Sequence, residues 1–200
     1  MEITSKMVKE LREMTNAGMM DCKKALMTAE GNVEAAVKIL REKGLSSAAK
    51  RAHKAANEGQ IFSYIHSNNK LGVIVELNCE TDFVAKTDEF QTLGRNLAMQ
   101  VAAASPQVVK REDISEDVLD KEKDIFRNQA LQSGKPEKVI DKIIEGKIEK
   151  FYSEIVLLEQ AFIKDDKVTI DELLRETIGK LGENMIIKRF ARFQLGEEAS

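Results

Sequence analysis

Chemistry in this chain of 200 residues would fall to few groups: two histidines, two cysteines and one run of carboxylates. His53 stands in a basic, alanine-rich stretch and His66 at the end of an apolar run. Neither has a cysteine or an acidic partner at metal-ligand spacing. Cys22 and Cys79 lie far apart; they make no disulfide framework and fall short of the four ligands a structural zinc wants. Free thiols fit a reducing compartment. Cys79 precedes Glu80, and an acidic neighbour raises a thiol pKa, so Cys79 reads as a small core residue. Glu80, Asp82, Asp88 and Glu89 could gather a divalent ion, but their spacing departs from the EF-hand loop. Glycine-rich phosphate loops, dinucleotide fingerprints and nucleophile elbows are absent from the sequence. The expectation is a protein without catalytic residues, metal ligands or cofactor, and not an enzyme.

One segment resists a bland reading. An apolar run is followed by Glu80-Thr81-Asp82-Phe83-Val84-Ala85-Lys86-Thr87. Phe83, between Asp and Val, falls in a strand-to-helix loop. Two readings stand from spacing alone: Phe83 folds into the core, or it is an exposed anchor for a partner's pocket, where aromatic residues dominate binding energy. Met19 and Met20, at a helix start, pose a similar question, with one expected in the core and the other as a soft contact.

The elements that would mount these residues follow from periodicity. Residues 4–44 predict three short helices. Thr4 or Ser5 caps the first, with Val8, Leu11 and Met14 on one face. Asn16-Ala17-Gly18 breaks it. Cys22, Ala25, Leu26 and Ala29 mark the second, ended by Gly31; Asn32 caps the third, with Val33, Ala36, Val37 and Leu40, and Gly44 stops it. Residues 45–58 read as a basic, partly helical linker, solvated rather than docked on an acidic or phosphate-bearing surface. Ile61–His66 and Leu71–Leu77 predict an antiparallel hairpin across Ser67–Lys70, with Met185–Phe193 as third strand. Between them, Thr87 caps a helix with Phe90, Leu93, Leu97 and Val101 inward, stopped at Ser105-Pro106. Ser115 caps another to about Gln132. After a break at Ser133-Gly134-Lys135-Pro136, Val139, Ile140, Ile143, Ile144, Ile148 and Phe151 follow helical spacing. Thr169 caps a last helix through Leu181. The fold class is α+β: a three-helix unit over 1–44, a linker over 45–58, and helices on a small antiparallel sheet over 59–200.

Composition agrees. Hydrophobic residues make up 42%, enough for a packed core. Lys and Arg number 31 against 34 Asp and Glu, a net charge of -3, without the basic excess of a dedicated nucleic-acid binder. No stretch approaches the roughly 20 apolar residues of a membrane span, and the N-terminus lacks an apolar run of signal-peptide length. The expectation is a soluble, cytoplasmic protein with no direct nucleic-acid or membrane partner.

Two long motifs carry a resemblance. Leu11-Arg12-Glu13-Met14-Thr15-Asn16-Ala17-Gly18-Met19-Met20-Asp21-Cys22-Lys23-Lys24-Ala25-Leu26 is similar to the N-terminal signature of bacterial elongation factor Ts, with Asn16 where Gly is usual. Asn78-Cys79-Glu80-Thr81-Asp82-Phe83-Val84-Ala85-Lys86 resembles its second signature, with Glu80 where Gln is frequent. Gln132–Pro136 and Glu145-Gly146-Lys147 resemble further stretches, and the likeness spans essentially the whole chain. Longer members carry a second core half and a protruding helical hairpin; this chain resembles the compact form.

The resemblance implies a ubiquitin-associated-like N-terminal domain, an α+β core, and a partner: the GDP form of the GTPase elongation factor Tu. It implies nucleotide exchange, in which Thr81, Asp82, Phe83 and Val84 approach the GTPase's magnesium site. Phe83 would wedge into an apolar gap, with Asp82 in polar contact beside it. Arg12, Met19 and Met20 would dock the N-terminal domain. A homodimer is a further expectation, since some short members pair to supply a missing contact surface. Two other classes compete: an adaptor or chaperone using only the helical N-terminus, which the long core disfavours, and a metal-dependent hydrolase built on the acidic run.

Overall fold

A computed structural model describes residues 3–15, 17–134 and 136–197. Asn16 and Lys135, in two of the expected breaks, lie outside the described residues. In chain order the helices are α1 (Ser5–Thr15), α2 (Met19–Thr28), α3 (Val33–Arg51), α4 (Asp82–Ala85), α5 (Asp88–Ala104), α6 (Glu116–Gln132), α7 (Glu137–Ile155) and α8 (Ile170–Leu181). The strands are β1 (Glu58–Ile65), β2 (Leu71–Cys79), β3 (Ala161–Phe162), β4 (Asp165–Thr169) and β5 (Met185–Gln194). The fold is α+β, with helices packed on a small antiparallel sheet of order β1-β2-β5. The chain divides into two compact units: Met1–Gln60, Leu77–Leu93 and Glu172–Ile186 form the first, Ile61–Glu76, Gly94–Asp171 and Ile187–Ser200 the second.

In the first unit the N-terminal helices form where their caps allow. Thr4 Oγ1 accepts the Met7 N–H at 3.3 Å, and Asn32 Oδ1 accepts the Ala35 N–H at 3.0 Å, each satisfying an orphan donor of a first turn. Gly31, at φ 87°, ends α2 by donating to the Leu26 carbonyl at 2.8 Å. Val8, Leu11, Cys22, Ala25, Leu26 and Ala36 are buried together. Met14 is not among them: it is exposed, because the core ends at Leu11 and Thr15, whose hydroxyl donates to the Leu11 carbonyl.

Gly44 does not stop α3, which continues to Arg51 and buries Ala48. Gly44 lies against Gly179 of α8 instead. A Cβ built on Gly179 would stand 2.7 Å from the Gly44 Cα, so the absent side chain of Gly179 permits a close helix crossing. Arg41 pairs with Glu172 at 2.8 Å beside it.

The hairpin and the third strand form where the β-branched and aromatic runs predict. Along β2, Val73, Val75, Leu77 and Cys79 are buried while Ile74 points outward, the period of two that puts one face on the core. Asn69, at φ 55°, shapes the hairpin turn.

In the second unit, α6 and α7 pack across the break at Gly134 through Ala130, Ile140, Ile144 and Ile148. Val139, expected inward, is exposed; the i, i+4 row of Ile140, Ile144 and Ile148 takes the seam, and Val139 lies about 100° off it. Ser115 occupies the N-cap position of α6 but its side chain makes no capping bond. Residues 161–169 form the β3–β4 hairpin, which periodicity misses because β3 has two residues. Buried Gln100 is satisfied there, donating to Gln160 Oε1 and the Ala161 carbonyl and accepting from the Ile163 N–H.

Candidate functional site: the Thr81–Val84 tip

The tip begins where β2 ends. Cys79 is fully buried and its thiol donates to the Thr81 carbonyl at 3.1 Å. Burial first, then the Glu183 carboxylate, pushes this thiol up to about 11. It is the core residue expected, although the carboxylate that raises its thiol is Glu183 and not its neighbour Glu80.

Thr81 is the N-cap of α4. Its Oγ1 accepts the Val84 N–H at 3.4 Å. The same hydroxyl donates to Glu183 Oε1 at 2.7 Å, and the Thr81 N–H donates to Glu183 Oε2 at 3.0 Å. One residue back, Glu80 Oε1 accepts the Asn184 N–H at 2.7 Å and Oε2 accepts from Lys54 Nζ at 3.0 Å. Asn184 is buried, and its side-chain amide donates to the Lys54 carbonyl at 2.7 Å. The Asn184 amide first, then the Lys54 ammonium, hold the Glu80 carboxyl below its ordinary range.

Phe83 sits on the single turn of α4 and is 77% exposed. It does not fold into the core. Turning it inward would require α4 to unwind from Thr81, whereas Ala85 already fills the buried side of that turn. Val84 is half-buried; its carbonyl accepts the Thr87 hydroxyl at 2.8 Å, and Thr87 then caps α5. Lys86 Nζ reaches back to Asp82 Oδ2 at 2.6 Å and stands 5.9 Å from the Phe83 ring centroid. That lysine is the main reason the Asp82 carboxyl titrates below its usual range. Phe90, Leu93, Leu97 and Val101 are all buried along α5, which anchors the far side of the turn.

The structure thus brings Thr81, Asp82, Phe83 and Val84 into one short, outward turn. Arg12, Met19 and Met20 are separate from it in sequence, on α1 and α2. Met19 is 55% and Met20 63% exposed, so neither is the core residue the sequence predicted for one of them; Cys22, Ala25 and Leu26 take the inward face of α2. Arg12 is exposed as well. Glu183, Asn184 and Lys54 were not legible as part of the site. The only local trace is a polar pair between Gly182 and an apolar strand. The acidic run does not converge: Glu80 and Asp82 are spent on lysines, and no group of three or more possible ligands forms a metal site among the described residues. Among them, too, no helix is long and apolar enough to cross a membrane.

What fold and tip define is an α+β scaffold that displays one aromatic side chain on a pinned turn. The model of the family described as Elongation factor TS matches residues 1–197. The chain belongs to this family of translation elongation factors. It is 57% identical over 195 residues to elongation factor Ts of Carboxydothermus hydrogenoformans, covering 98% of this chain and 90% of that one. It is 59% identical over 190 residues to the Moorella thermoacetica protein (95% and 94% covered) and 56% over 197 residues to that of Fervidobacterium nodosum (98% and 100%).

Proposed function

We propose that this protein is a guanine-nucleotide exchange factor that binds the GDP form of elongation factor Tu and promotes GDP release so that GTP can rebind. The observation that carries the reading is the outward Phe83 on its pinned turn. Aromatic side chains presented outward from a fixed turn are the kind of residue that anchors binding interfaces. Family membership supports the same reading.

The mechanism is competitive coupling. A GTPase grips GDP through backbone amides, a lysine and magnesium. The Thr81–Val84 turn approaches that magnesium site, Phe83 enters an apolar gap, and Asp82 makes polar contacts beside it. Displacing magnesium leaves the diphosphate charge uncompensated. The coupling is reciprocal: whatever factor this protein takes from GDP affinity, GDP takes from its own. No bond in this chain is made or broken, so the exchange needs no catalytic residue or cofactor here. Residues 1–44, a ubiquitin-associated-like domain whose third helix runs on to Arg51 through the basic segment at 45–58, dock the partner through Arg12, Met19 and Met20. Residues 59–200 carry the tip and the surface for a homodimer. The work is cytoplasmic and involves neither nucleic acid nor membrane directly.

The test is stopped-flow release of fluorescent GDP from elongation factor Tu. Phe83→Ala should slow release at least tenfold at equal factor concentration, the scale of a buried aromatic anchor. Unchanged exchange with intact binding would sink the wedge.

A further inference from the structure

The tip does not hold itself. A four-residue helix is below the length at which helical bonds offset the cost of ordering. The bonds at its cap are long: Ala85 N–H to Thr81 carbonyl at 3.3 Å, Lys86 N–H to Phe83 carbonyl at 3.3 Å, and the Val84 N–H to the cap at 3.4 Å; the shorter local bonds, from the Thr87 N–H and hydroxyl to the Val84 carbonyl at 3.0 and 2.8 Å, hold the other end of the turn. The bonds it receives from Glu183 are shorter, at 2.7 and 3.0 Å, and are made to a charged carboxylate, the stronger class. The bonding is also reciprocal. Thr81 donates to Glu183 while Asn184 donates to Glu80, so two adjacent residues on each side clasp each other across 102 and 104 positions. Buried Asn184 locks this clasp to the Lys54 carbonyl.

The geometry points to Glu183 as a positioning residue: standing between α8 and β5, it fixes the cap of α4 and thereby the direction in which Phe83 is presented. This rests on the exchange reading above. Glu183 sets the aim of the aromatic side chain without touching the partner. Loss of the carboxylate frees the turn to sample other orientations, so the complex still forms through the rest of the surface, but the wedge enters less often.

The experiment uses the full chain and a range of factor concentrations in the stopped-flow assay with fluorescent GDP. Glu183→Ala should lower the maximal release rate about tenfold, while the half-saturating concentration moves less than about twofold. Glu183→Gln should recover to within about threefold, because its amide can accept the Thr81 N–H and donate to the hydroxyl. Hydrogen exchange on the free protein should show faster exchange at residues 82–85 in Glu183→Ala and unchanged protection along α5. If Glu183→Ala fails to fold, Glu183→Asp, one methylene short of both donors, takes its place. A wild-type maximal rate in Glu183→Ala, or in Glu183→Asp where that takes its place, with Phe83→Ala slow, overturns the positioning role and leaves the exchange reading standing. Wild-type rates in Phe83→Ala as well overturn the exchange reading itself.

Discussion

Gly44 on α3 and Gly179 on α8 meet so closely that a Cβ on Gly179 would lie 2.7 Å from the Gly44 Cα, whereas a Cβ on Gly44 would meet nothing within 4 Å. The contact is therefore one-sided. Gly179→Ala should destabilise the protein by about 1–3 kcal/mol through overpacking. Gly44→Ala should be neutral or stabilise by up to about 1 kcal/mol, because alanine is the better helix former. Urea unfolding of the two variants checks this. Equal effects would contradict the asymmetry.

Phe83→Ala should separate stability from function. The side chain is mostly in water, so truncation should change unfolding free energy by less than about 0.5 kcal/mol while exchange slows. A melting curve beside the release assay reads both. A large drop in melting temperature would mean that the ring packs in solution.

Met20→Ala should weaken the complex with elongation factor Tu more than it affects folding. Met20 is 63% exposed and the core side of α2 is filled by its neighbours. Calorimetric titration together with a melt would show the opposite pattern if Met20 served the core.

Acid should loosen the clasp. The folded state holds the Glu80 carboxyl below its ordinary range, through the Asn184 amide and then Lys54. A carboxyl depressed on folding contributes stability above its unfolded pKa and loses it as pH falls through the folded value. Melting temperature should fall on the acid side of the glutamate range, and Glu80→Gln should remove part of that fall. Parallel curves for the two proteins would refute the contribution.

Both thiols should be silent in the native protein. Cys22 and Cys79 are buried, and the Cys79 thiol is pushed up to about 11, so little thiolate is available to react. A disulfide-exchange reagent should label almost nothing under native conditions and both cysteines in denaturant. Rapid native labelling at Cys79 would contradict its burial.

Much of the scaffold was legible because its signals are local. Caps at Thr4, Asn32 and Thr87, the turn at Gly31 and the β-branched run within Leu71–Leu77 each act within a few residues. Glycine was the ambiguous signal. Gly31 ends a helix, but Gly44, read the same way, sits inside one. Its role depends on Gly179, far along the chain, and no window of neighbours contains that residue.

The sequence by itself determined the family, the α+β class and the motif Thr81-Asp82-Phe83-Val84, since residue order and hydrophobic period are properties of the chain alone. Its spacing left Phe83 suspended between core and surface, and the family resemblance implied an outward anchor. Only the tertiary structure decided that, because exposure depends on what else fills the space. Ala85 occupies the buried side of α4, and Glu183, 102 positions beyond Thr81, pins the cap from outside. A hydrogen bond across that distance has no sequence period to announce it; it exists because β5 returns beside β2 and brings Glu183 and Asn184 to the tip.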